Sequence, residues 1–170
     1  SKKLLNIDNN PKTVKGQSKK VMTAILYFAP AKISGFNVCP FADDCALTCL
    51  NTAGRGQMNS VQLGRINKTR WYFLERHTFM AQLHNEIKRH INRCKIKGFK
   101  PAFRINGMSD LKIENMGLIE TYPMAQWYDY TKNPIRMKKF IAGKFPKNYH
   151  LTFSLGSSNK SDAKEILKLG

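Results

Sequence analysis

The stretch VMTAILYFAPAKISGFNVCPFADDCALTC, residues 21–49, decides how the rest of the chain is read. Its opening is short, apolar and stopped by Pro30, which predicts a buried strand over 21–29. The following residues, 32–56, hold three cysteines and predict a loop with a short helical turn. Beyond it a helical signal runs over 60–97, broken near His77. Its second piece sets Met80, Leu83, Ile87, Ile91 and Cys94 on one helix face, and Gly98 is placed to end it. Short apolar runs at 101–105, 126–131 and 149–154 predict three more strands, with helices at 112–121, 135–143 and 161–169. Alternating strands and helices form βαβ units, hence an α/β fold with a parallel sheet and right-handed crossovers. Four such strands make about half a barrel. Residues 1–19, polar and basic, predict an extended basic arm, and 20–170 a single α/β domain. The chain stops on a helix, LKLG, that would ordinarily feed another strand. The native protein, or an oligomeric partner, is therefore expected to continue past Gly170.

The 170 residues are 42% hydrophobic, with ten Phe, six Tyr and two Trp, which excludes a disordered chain. No apolar run approaches a membrane span, and SKKLLNIDNN lacks the apolar segment of a signal peptide, so a cytoplasmic location is expected. Lys and Arg number 29 against 11 Asp and Glu, a formal charge of +18. That surplus steers polyanions, nucleic acid first among them; solubility is the plainer use. Arg65, Lys68 and Arg70 lie beside Trp71, Tyr72 and Phe73, and Lys88, Arg89, Arg93, Lys95 and Lys97 surround the end of the long helix. These are the nucleic-acid candidates, joining charge to stacking. The competing reading makes the aromatics core and the charges solvated.

Three of the four cysteines, Cys39, Cys45 and Cys49, form a C-x5-C-x3-C pattern. Without an export signal, clustered thiols point to metal or redox chemistry rather than disulfides. Thiolates suit iron–sulfur clusters and zinc. Asp43 or Asp44 can cap a helix that sets Cys45 and Cys49 on one face, with Cys39 closing over it. Structural zinc usually takes four ligands, often in paired knuckles, and His77, His84, His90 and His150 do not recur at ligand spacing. Cys94 ends a helix roughly 30 Å long that runs antiparallel to the strands, so it belongs at the opposite edge of the sheet, in the core. Three thiols with an open position favour a 4Fe–4S cluster. Zinc, and thiols without metal, remain the alternatives.

In parallel βα sheets ligands bind beyond the C-terminal ends of the strands. That rule selects Asn106, Ser109 and Asp110 after the second strand, Asp129, Tyr130 and Lys132 at the third, and Ser154 at the fourth, all around one cavity with the cysteines. Arg104 and Asn106 alternate with Phe103 and Ile105, so both are expected on one face, with Asp110, Asp129 or a ligand carboxylate answering the arginine. An internal Arg–Asp pair fixing the loops is the plainer reading. In AGRG, Arg55 could clamp a cluster ligand or a phosphate, although a tight turn explains the glycines.

Three cysteines after the first strand of a parallel sheet resemble the layout of radical S-adenosylmethionine (SAM) enzymes, whose usual spacing, C-x3-C-x2-C, differs. That resemblance implies a partial barrel, with SAM on the open iron. A fuller likeness joins GFNVCPFADDC, CLNTAGRG, FRINGMSDLKIE, WYDYTKNP and NYHLTFS, which run in order from about Lys19 to Ser154. In these the chain resembles the phage family called gene product 88. The resemblance implies phage origin, a radical-SAM-like half barrel and residence in an infected bacterial cell, and it brings no settled activity. The function expected is thus a phage 4Fe–4S protein contacting nucleic acid. The alternatives are a radical-SAM-like enzyme and a zinc-stabilised interaction protein docking on a host or phage assembly.

Overall fold

The computed structural model describes residues 3–7, 14, 18–42 and 54–170, with Arg55 as backbone only. Among the described residues five strands form one open sheet in the order β1-β2-β3-β4-β5. They are β1 (Leu5–Ile7), β2 (Val21–Leu26), β3 (Lys100–Arg104), β4 (Gln126–Thr131) and β5 (Tyr149–Phe153). From β2 to β5 the neighbours are parallel, with Ala24 opposite Phe103, Phe103 opposite Trp127, and Trp127 opposite Tyr149. The helices are α1 (Ala31–Ser34), α2 (Asn59–Leu74), α3 (Arg76–Lys97), α4 (Leu118–Thr121), α5 (Pro134–Ile141) and α6 (Lys160–Leu169). The fold is thus a mixed α/β architecture with a mostly parallel, unclosed sheet.

Four of the strands lie where the apolar runs predict them. The fifth is a surprise from the basic arm: β1 pairs antiparallel with β2, Leu5 opposite Leu26. Its backbone is captured from outside the sheet. The Glu86 carboxylate on α3 accepts the amides of Leu4 and Leu5 (both at 2.8 Å), and Lys68 on α2 donates to the Leu4 carbonyl at 2.9 Å. Leu4 and Leu5 are thereby buried in the core.

The sheet buries one face against the helices. Ala24, Leu26, Phe103, Ile105, Trp127 and Leu151 meet Phe79, Leu83 and Ile87 of α3 and Tyr72 of α2 in a single apolar cluster. Phe103 and Trp127 stack there at 4.7 Å. The stripe read from the sequence is correct, and the break before it falls at Glu75, two residues ahead of His77. Gly98 ends α3 at φ 68°, a left-handed conformation that lets Phe99 reach back to the Cys94 carbonyl at 2.8 Å. The helix expected over 112–121 is divided into a 3-10 turn, Ile113–Asn115, and α4. Among the described residues no helix is long and apolar enough to cross a membrane.

Candidate functional site at the C-terminal edge of the sheet

Parallel strands deliver their following loops to one edge. After β2 the chain turns through α1 to Cys39, a half-buried thiol whose Sγ lies 3.4 Å from the Met108 carbonyl, to which it donates. One residue earlier, the Val38 carbonyl accepts the Asp110 amide at 2.8 Å. The cysteine loop and the loop after β3 are therefore joined, as the strand-end rule requires. Cys94 sits at the other edge, fully buried near the end of α3, where Lys100 pairs with Val21 at the start of β2. Cys45 and Cys49, with Asp43 and Asp44, lie outside the described residues. Among the described residues no group of three or more His, Cys, Asp or Glu side chains could hold a metal.

On the helix side of this edge the candidate residues satisfy one another. Asn106, 1% exposed, donates through Nδ2 to Asp129 and to the Leu111 carbonyl (2.8 Å). Its Oδ1 accepts the Ser109 hydroxyl at 2.6 Å and the Leu111 amide at 3.0 Å. Asp129 is fully buried, and burial pushes its pKa up to about 8 against the opposing pull of Asn106 and Arg136. Asp110 accepts the Thr131 hydroxyl (2.9 Å) and the Lys132 amide (3.1 Å) and pairs with Arg136. Ser154 is held by backbone bonds, its amide to the Thr131 carbonyl at 2.8 Å.

Arg136 escaped the sequence reading. Only 2% exposed, it grips Glu114 with two bonds, Nε at 2.8 Å and Nη2 at 2.7 Å, and meets the Tyr149 hydroxyl at 3.0 Å. Burial works against its charge, but Glu114, Tyr149 and Asp110 outweigh that and raise its pKa above the ordinary value. A signal existed: Asn133 caps α5 and Pro134 opens it, which puts an arginine in a first turn where the helix dipole disfavours a cation. Such a residue needs carboxylates nearby.

Arg104 and Asn106 part company. The amide of Asn106 turns to Asp129, which shares the helix-facing side with Trp127, whereas the Arg104 guanidinium lies 4.6 Å from the Tyr130 ring centre on the opposite side. The regular alternation ends with β3 at Arg104, so it could not carry to Asn106. Asp110 and Asp129, expected to answer Arg104, are committed to Arg136 and Asn106; Arg104 Nε donates instead to the Asn106 carbonyl at 3.1 Å. Around it stand Tyr128, half-buried and bonded to Thr23, and Tyr27, neither singled out from the sequence. Gly107 completes the corner: a Cβ there would come within 2.6 Å of the Tyr27 ring.

The nucleic-acid candidates divide as well. Lys88, Arg89, Lys95 and Lys97 are exposed on α3, with Arg93 half-buried, and Arg70 is exposed on α2. Lys68 is spent on β1, and burial lowers its pKa despite Glu86. Arg65 faces Tyr27, its guanidinium 5.2 Å from the ring centre. Of the neighbouring aromatics, Tyr72 is core and Phe73 stacks on Phe36 at 4.7 Å.

A family model described as Gene product 88 matches residues 2–169. No curated protein and no solved structure matches the chain, so the likeness to radical SAM enzymes gains no support from known proteins. Matched over nearly its whole length, the chain belongs to the Gene product 88 family of phage proteins.

Proposed function

We propose that this chain is a 4Fe–4S protein, its cluster held by Cys39, Cys45 and Cys49 over the C-terminal edge of the sheet, and that its positive surface contacts nucleic acid. The observation that carries the reading is the position of Cys39, a half-buried thiol at the edge where parallel sheets place their ligands, joined to the loop after β3. A thiol there has access to a cofactor that the core thiol Cys94 lacks. When bound, the cluster supplies redox chemistry and one open iron. The chain's own part is to seat Cys39 through the Val38–Asp110 bond and to leave Arg104 and Tyr130 facing away from the helices. Four parallel strands in sequential order support the finer reading of a half barrel of the radical-SAM kind, with SAM a candidate for the open iron.

Anaerobic purification followed by iron, sulfide and zinc analysis tests the proposal. Iron and sulfide in equal amounts, with a brown colour, are expected. A colourless protein with stoichiometric zinc would establish the zinc-stabilised alternative. If SAM added to the reduced protein perturbs its EPR spectrum and yields 5′-deoxyadenosine, the enzyme reading prevails over a structural or sensing cluster.

A further inference from the structure

The open face of the sheet, opposite the helices, collects aromatic and basic groups where the strands end. In the β2–β4 registers this face runs from Thr23, Ile25 and Ala102, which are buried, to Arg104, Tyr128 and the exposed Tyr130 at the strand ends, and none of its positions in β2–β5 is acidic. The acids of this edge, Asp110, Glu114 and Asp129, stand on the other side and are matched by Arg136 and Asn106. The two faces of one strand end therefore differ in charge, and the open one is cationic.

Its aromatic groups are arranged for stacking. Arg104 lies over Tyr130, which is 44% exposed, and Arg65 lies over Tyr27. Tyr128 stands within electrostatic reach of Arg104, Tyr130 and Tyr27. Neighbouring strands are roughly 4.8 Å apart, so Tyr27, Arg104 and the Tyr128–Tyr130 pair, from three successive strand ends, form a row and not a single pocket, with Arg65 reaching Tyr27 from α2. The Tyr130 ring and the Arg104 guanidinium each keep part of a flat face in solvent. Flat π faces interleaved with fixed cations match a strand whose bases are unpaired and whose phosphates run alongside. A duplex hides its base faces and does not fit such a row.

We infer that this face, where β3 and β4 end, is a seat for single-stranded nucleic acid, with a base stacked on Tyr130 and Arg104 and phosphate drawn by the Arg104 charge. The inference rests on the nucleic-acid part of the proposed function and moves the contact from the lysines of α3 to the sheet.

The test is fluorescence anisotropy of the full chain with labelled oligothymidylate and oligouridylate of about twelve nucleotides, at two salt concentrations, beside a duplex of equal length. Wild type should prefer the single strands. Tyr130→Ala should weaken binding by about tenfold, with the salt dependence unchanged, and Tyr130→Phe should restore it. Arg104→Ala should weaken binding and lower the salt slope by about 1. Thermal unfolding of each variant verifies that it is folded. No binding by wild type at low salt overturns both this inference and the nucleic-acid reading beneath it. Binding that survives Tyr130→Ala and Arg104→Ala but weakens in Lys95→Ala/Lys97→Ala overturns the sheet site alone. Equal affinity for the duplex overturns it too.

Discussion

Along β4 the side chains of Asp129 and Thr131 enter the helix side of the sheet, and those of Tyr128 and Tyr130 leave on the other, so one strand end presents two environments. On the helix side, Asp110 and Glu114 converge on Arg136, and Asn106 spends its amide on Asp129, Ser109 and Leu111. Those groups are buried and matched, donor to acceptor, which is what a low-dielectric interior demands. On the open side, Arg104 has a tyrosine ring and a backbone carbonyl for company and keeps part of its surface in water. The same residue type thus does two jobs on the two sides of one sheet edge. Arg136 holds loops together, and Arg104 is placed to meet something from outside.

Removing Arg136 should break the comparison most severely. Arg136→Met leaves Asp110 and Glu114 charged and unpaired, and should cost about 3–5 kcal/mol in urea unfolding. Gly107→Ala comes next. Its new methyl would meet the Tyr27 ring at 2.6 Å and the Leu26 carbonyl at 2.7 Å, the latter fixed backbone. A loss of about 1–3 kcal/mol is expected, accompanied by displacement of Tyr27.

A different kind of effect is one of pH. Burial lifts the Asp129 carboxyl from 3.8 to about 8, so across that interval the folded chain keeps a proton that the unfolded chain releases. Stability from this group is fully present below about pH 4 and is lost as pH rises through about 8. Melting temperatures should therefore decline over that window, and Asp129→Asn should flatten the decline. Arg104→Ala should matter least for stability, about 0.5–1 kcal/mol for the lost cation–π contact. If Arg104→Ala proves as damaging as Arg136→Met, the two sides are not different in kind.

How much of this could be read beforehand follows from where the energy sits. Strands β2 to β5 were legible because short apolar runs are local signals, and α3 because its stripe repeats along one face. β1 was not, since three residues in a polar arm become a strand only when Glu86 and Lys68 capture their neighbours from distant helices. Asp110 and Asp129 were visible as candidates, but their partners were not. Arg136 hides between Ile135 and Met137, and only the helix start at Asn133–Pro134 hinted that its charge would need burying. Cys94 was assigned correctly to the far edge by the length and direction of its helix. Tyr27 and Tyr128 passed as strand material because tyrosine suits a strand whether or not it faces a ligand.

The proposed cluster seat rests on Cys39, and iron bound per chain reads it directly. Wild type and Cys39→Ser, prepared anaerobically side by side, should differ: the wild type carries iron and sulfide in equal amounts, and the variant loses most of both while remaining folded by circular dichroism. Equal iron in the two proteins, or zinc in their place, would contradict the account.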